Sequence, residues 1–464
     1  MARLSRLAVG IAFLFAAYCF PEVAFAAGGQ LKLIVVDKET QKPIPVRMHL
    51  RNVAKRLPKV LKVPTWDDHI VFDGEITLKL PKGYYGFELE CGPEYLDQQG
   101  HFQINDFADD EKSIEMKRFI TMSKEGWYSG DFDVERPIRD LELLMRAEDL
   151  HVAHIFAPKK SATAKSETLP TQPYLFDGNR YFASPVAEPV WRDVQQITAW
   201  DFPVKVALGE VDSVELASPS LYRNGGAADE KNCKPRDKTL FPGPEGLSRW
   251  GEKIYFHLLD CGLRIPPSAG SGSGRSPNPV GYNRIYAHIQ GPFSYEAWLD
   301  AVRTGRTIVT NGPLIRPTVE NEYPGHVFHP NASREVALEV GVNLATREDI
   351  AYLDIVKNGS VAHSARLAEF QKAGGRLPKV VMEKSGWFLL RVVTSNQKTR
   401  RFAMTAPYYV EIGDETRVSR SSAQFFLDWV NERMAELGDK LPEKDRWEKA
   451  RGYWQELLKK ANTE

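Results

Sequence analysis

Three carboxylates at alternate positions, Asp131, Asp133 and Glu135, are the densest candidate for chemistry in the chain, within Gly130-Asp-Phe-Asp-Val-Glu-Arg-Pro137. On a strand, side chains alternate. The three acids therefore share one face, roughly 6.5–7 Å apart, and Phe132 and Val134 take the other. Like charges that close oppose one another's ionisation unless a cation neutralises them. A hard divalent ion (Mg²⁺, Mn²⁺ or Ca²⁺) would do so, with Asp201 as a further oxygen ligand. Arginine would do so equally, and Arg136, Arg139 and Arg284 are the candidates. A solvated acidic strand end would need neither.

The histidines add little to this set. His151 and His154 stand three apart on the apolar strand that runs to Phe156, which points them to opposite faces. His151 reads as a core histidine that is also a candidate at the mouth of a site. His257 reads as helix packing. The run Ser268-Ala-Gly-Ser-Gly-Ser-Gly274 can offer backbone N–H groups to an anion, but it lacks the lysine of a phosphate loop. Ser271, Asn278, Tyr282 and Arg284, with His151, form the candidate substrate-binding set. No Gly-x-Ser-x-Gly elbow occurs, and no cysteine has an identifiable base. Cysteine and histidine spacing excludes a structural zinc knuckle.

The elements around these residues change character along the chain. From 27 to 120, short alternating runs such as Leu31 to Val36 and Ile76 to Leu80 predict a small antiparallel β-sandwich. From 121 to 317, strands alternate with helices, which predicts an α/β domain with a largely parallel sheet or barrel. Its helices begin at Pro137 and span about Trp250 to Leu259 and Ser294 to Thr304, the last with Gly305 just past its end. Two inserts interrupt it, Lys159 to Pro173 and Arg223 to Gly246. From 318 to 412, β signals return, with a hairpin turn at Asn358-Gly359, and a second sandwich is expected. Residues 413–464 predict two amphipathic helices broken between Gly438 and Pro442, packed against the body.

Length and charge narrow the function classes. The 464 residues exceed a single core. Lys plus Arg equals Asp plus Glu at 61 each, so no basic field exists to hold nucleic acid. Arg3 and Arg6 precede the apolar run Leu7 to Phe20, and Ala24-Phe25-Ala26 follows. That is the pattern of a secretory signal cut after Ala26, which predicts a periplasmic or secreted protein with no later transmembrane segment. Loss of Cys19 leaves Cys91, Cys233 and Cys261, enough for one disulfide at most.

Longer stretches carry a family likeness. Trp127-Tyr-Ser-Gly-Asp-Phe-Asp-Val-Glu-Arg-Pro137, the following Leu143 to Ala153, Val211-Asp-Ser213, Leu259 to Ser271, Pro277 to Arg284 and Thr310-Asn-Gly-Pro-Leu314 together resemble the CehA/McbA-type metallohydrolases. These belong to the polymerase-and-histidinol-phosphatase (PHP) superfamily. Val36-Asp-Lys-Glu-Thr-Gln-Lys-Pro-Ile-Pro45 likewise resembles the start of a carboxypeptidase-regulatory or transthyretin-like module.

The resemblance implies a distorted α/β barrel, flanked by sandwiches, that holds divalent ions with histidines and carboxylates. A metal-bound water would attack an ester, amide or phosphoester. In the family the opening motif is Gly-Asp-Leu-His-Val-His; here Asp133 and Glu135 stand at both histidine positions. Ala217 to Ser220 and Gly272 to Gly274 stand where further histidine-bearing motifs are expected. The expectation is therefore an exported, non-catalytic or impaired relative with a binding or scaffold role toward a small-molecule or cell-surface ligand. The alternative is an active hydrolase with a carboxylate-only site for Mg²⁺, Mn²⁺ or Ca²⁺. Zinc is not expected in that site, since the imidazoles that favour it are missing.

Overall fold

A computed structural model describes residues 28–157, 168–225, 230–330 and 335–464. The segment 1–26, expected to be a secretory signal, and most of the first insert lie outside the described residues.

Alternation builds the first unit as expected. Val46, Met48 and Leu50 on one strand and Ile70 and Phe72 on its neighbour point inward, to meet Leu31, Leu33 and Val35 of the facing sheet. One layer is antiparallel, in the order Thr65–Trp66, His69–Asp73, Pro45–Asn52, Gly83–Glu90, Gln98–Ile104. The other places Gly28–Asp37 between Glu75–Pro81 and Asp109–Met116, and the last pairing is parallel. The sandwich is thus not wholly antiparallel.

The middle region departs further from expectation. A 12-stranded sheet runs from Tyr174–Phe176 through Arg180–Ala183, Val152–Ile155, Trp127–Val134, Arg284–His288 and Thr307–Thr310. It continues through Phe402–Thr405 and Gly386–Thr394 to Ile350–Lys357 and Ser360–Ala365. Along this path only Trp127–Val134, Val152–Ile155 and Arg180–Ala183 run parallel, and the pairings from Arg284–His288 onward are antiparallel; off it, Tyr408–Val410 pairs with Gly386–Thr394 and, in parallel, with Val327–Phe328. The sheet is mixed, and no closed barrel forms among the described residues. The reason is local: helix Tyr295–Arg303 joins two neighbouring antiparallel strands instead of crossing between parallel ones.

The sheet also crosses the boundary drawn at 317, because Thr307–Thr310 pairs directly with Phe402–Thr405. The second sandwich exists as packing. Leu338, Val340 and Leu377 of a separate three-stranded sheet cover Ile308, Leu353 and Phe388, but one of its two layers is shared with the middle region.

Local signals place the helices closely. Ser294 caps Tyr295–Arg303 by accepting from Ala297 N, and Gly305 follows with φ 73°. Pro137 is the cap of Ile138–Ala147 rather than its first turn. Asn358 and Gly359, at φ 48° and 78°, make the expected hairpin turn. The tail forms Arg420–Leu437 and Lys444–Lys459, whose Phe426, Trp429 and Trp454 are fully buried. Trp454 Nε1 donates to Pro203 O at 3.0 Å, which docks the tail on the short helix Phe202–Ala207. No described helix is long and apolar enough to cross a membrane.

Candidate functional site

The Trp127–Val134 strand ends beside a small parallel sheet of Asp193–Val194, Ser213–Ala217 and Pro267–Ala269. The chain after Ala269 turns through Gly270 to Gly274 and meets the first strand at the Val134–Ser273 bridge. This junction gathers Asp133, Glu135, Asp193 and Glu215 with Arg275. Gly270 is required there. A Cβ at that position would lie 2.2 Å from Glu215 Oε1 and 2.6 Å from Asp133 Cβ.

Asp131 is structural. Its Oδ1 accepts from Asp133 N at 3.0 Å and Ser271 N at 2.9 Å, and its Oδ2 accepts from Gly281 N at 2.7 Å. It thereby ties the strand to both following loops. Burial nevertheless pushes its carboxyl up to about 7.

Among the described residues, Asp133 and Glu135 share a cation, Arg275. Its Nη2 donates to Asp133 Oδ2, and its Nε lies 3.1 Å from Glu135 Oε1. Nη2 also reaches Gln195 Oε1 at 3.3 Å. The sequence pointed to Arg136, Arg139 and Arg284 for this role, and none of them takes these contacts. Arg136 stacks on Trp66, and Arg139 is exposed. Arg284 is buried and donates to Gly281 O and twice to Glu148 O.

Asp193 and Glu215 form the second half of the cluster. Asp193 Oδ1 accepts from the hydroxyls of Ser213 and Ser268. Burial pushes its carboxyl up to about 6, against those two donors. Glu215 is 1% exposed, and neither of its oxygens has an aligned donor. Burial first, then the charges of Asp133 and Asp193, raise its carboxyl well above the ordinary range. A proton shared between Glu215 and Asp193 is the simplest way to hold both there. Glu215 and Arg275 form part of the wall of a cavity of ≈ 300 Å³, with Gln195, Thr198, Ser218, Ser220, Tyr222 and Ser276.

The remaining sequence candidates lie elsewhere. Asp201 begins a helical turn, pairs with Lys205 at 3.0 Å and is half exposed. His151 is a buried core histidine, its Nδ1 3.0 Å from Ser129 Oγ. His154, on the opposite face, meets Tyr295 OH at 3.0 Å. Ser271 Oγ donates to Asn283 O. The Asn278 amide binds Leu221 O, Ser271 O and Arg223 N, so it holds its own loop together. Tyr282 and Arg284 line a separate pocket of ≈ 30 Å³, enough for about one water. None of the five candidate substrate-binding residues lines the larger cavity. Asp193, Glu215, Gln195 and Arg275 escaped the sequence reading. Glu215 alone carried a usable signal, two residues beyond the Val211-Asp-Ser213 motif.

Comparison with known proteins adds no family. No family model matches the chain, and no curated protein matches it. A solved structure, the β-glucuronidase of Parabacteroides merdae, aligns at 10% identity with a TM-score of 0.17, over 80% of this chain and 62% of that one. The chain thus spans about three fifths of that protein's length, and a likeness at this level identifies neither fold nor function.

Proposed function

We propose that the chain is an exported relative of the CehA/McbA-type, PHP-superfamily metallohydrolases that has exchanged its metal site for an internal ion pair and serves as a binding or scaffold protein. In this reading, residues 121–317 are the PHP-like unit and the flanking sandwiches and helical tail are its supports. The observation that carries it is Arg275. A guanidinium is bonded to Asp133 and Glu135, the two positions at which the resemblance expects histidine ligands. A divalent ion there would meet a fixed positive charge and no imidazole, so the donor set does not fit zinc and opposes a hard ion. The ≈ 300 Å³ cavity, with hydroxyls, the amides of Gln195 and Gln196, and Arg275 on its wall, suits a small polar ligand.

The test is a panel of aryl esters, anilides and phosphoesters assayed with and without Mg²⁺, Mn²⁺ and Ca²⁺. No chelator-sensitive turnover is expected. Turnover that disappears in Glu215→Gln would overturn the reading and favour a carboxylate-site hydrolase. That second reading has one observation of its own: both oxygens of the buried Glu215 lack an aligned donor.

A further inference from the structure

Two histidines separated by 20 positions in sequence are brought face to face by the first sandwich. The antiparallel register reaches Met48 and Ile70, and beyond it the rings of His49 and His69 stand 5.3 Å apart, centre to centre. Met48 and Ile70 enter the core; the two histidines take the opposite face, toward the middle region, and are 1% and 2% exposed. Asp68 precedes His69 directly, after a tight turn in which Asp67 has φ 44°. Its Oδ1 lies 3.1 Å from His49 Nδ1 and 3.3 Å from His69 Nδ1. One ligand atom from each residue lies within 4.8 Å of the others, and no other such group of three occurs among the described residues.

We propose that His49, Asp68 and His69 form a binding site for one borderline divalent ion, zinc foremost, at the seam between the first sandwich and the middle region. Two imidazoles and a carboxylate are a donor set that suits zinc, with water as a fourth ligand. Zn–N bonds of about 2.0–2.1 Å put the ligand atoms of a tetrahedral site about 3.3–3.4 Å apart, near the two separations found here. Alignment points the same way. His49 Nδ1 is buried and makes no aligned hydrogen bond, although Asp68 Oδ1 is only 3.1 Å away. Atoms that converge on a shared point, rather than on each other, show that geometry.

The surroundings fit a ligand set. Asn224 Nδ2 occupies Asp68 Oδ2 at 3.0 Å, which turns Oδ1 toward the histidines. Arg47 Nη1 at 2.6 Å makes His49 Nε2 an acceptor, so the proton sits on Nδ1 without an ion. Ion binding at Nδ1 would put that proton on Nε2, where it would face Arg47 Nη1 at 2.6 Å and oppose the ion. Arg51, 3.7 Å from Asp68 Oδ2, opposes the ion and lowers its affinity.

Full-length protein stripped with chelator, given Zn²⁺ and passed through gel filtration should retain one zinc per chain. His69→Phe and Asp68→Asn should each weaken Zn²⁺ binding at least tenfold by calorimetry, with circular dichroism confirming the fold. Asp193→Asn/Glu215→Gln should retain the zinc. Co²⁺-loaded wild type should show the visible absorption of a four- or five-coordinate nitrogen–oxygen site, a readout that stands even if a variant misfolds. Failure of wild type to retain zinc, undiminished binding in the His69 and Asp68 variants, loss of zinc in the Asp193/Glu215 variant, or a six-coordinate Co²⁺ spectrum would each overturn the proposal.

Discussion

Replacing Asp193 by asparagine should flatten the protein's response to pH. Unfolded, this aspartate ionises near 3.8; folded, burial moves it to about 6. Between those values the native state holds more protons than the unfolded one, and above both neither state holds this proton. Its contribution is therefore fully present below about pH 4 and falls as pH rises, to a floor reached a little above pH 6. A difference of 2.2 units, from 3.8 to about 6, corresponds to about 3 kcal/mol. The residue retains some exposure, although its Oδ2 has none, so about 2–3 kcal/mol is the working figure. Asparagine keeps an oxygen for the hydroxyls of Ser213 and Ser268 and turns an amide toward Glu215. For a chain of this size the effect is a few degrees, about 3–5 °C in melting temperature. Calorimetric scans at half-unit steps from pH 4 to 8 measure it. The variant should gain on the wild type steadily between pH 4 and 7. Parallel curves would refute the argument that a buried, proton-hungry carboxylate sits in this cluster.

Gly270→Ala should destabilise by about 1–3 kcal/mol in denaturant titrations, because its methyl group must fit between Glu215 and Asp133. Glu252→Gln should cost about 2–3 kcal/mol at pH 7, since this buried carboxylate on helix Gly246–Asp260 bonds Arg391 and Arg400 of the C-terminal region. Burial opposes the ionisation of Glu252, but Arg400 and Arg391 outweigh it and lower its carboxyl. The deficit should therefore be full above about pH 4.5 and shrink as the solution is acidified below that.

Elements with a local signature were legible in the sequence, and arrangements built from distant segments were not. The Ser294 cap, the Asn358-Gly359 turn and the two tail helices each depend on a few neighbouring residues, and each lies where the pattern put it. Strand direction depends on what the strand pairs with. The sequence of strand, helix and strand around Tyr295–Arg303 looks the same whether the chain crosses over or turns back, and here it turns back. The site divides in the same way. The alternating acids at 131, 133 and 135 were visible as a pattern, but their roles were set by partners far along the chain. Three backbone N–H groups claim Asp131, and Arg275, 140 positions beyond Glu135, bridges the other two. His49 and His69 carried no spacing signal at all, because only the register between their strands brings them together.

Whether Arg275 stands in for an ion is tested by one thermal-melt series. Wild type, Asp133→Asn/Glu135→Gln and Arg275→Gln are each melted with and without millimolar Mg²⁺, Mn²⁺ and Ca²⁺. If the guanidinium already neutralises these carboxylates, the wild type gains no melting temperature from any of the three ions. Arg275→Gln, with its acids released, should melt lower without ion and recover part of the loss with it. A wild type that rises by several degrees with an ion, a gain absent from the Asp133/Glu135 variant, would contradict the claim and put a metal where the arginine was placed.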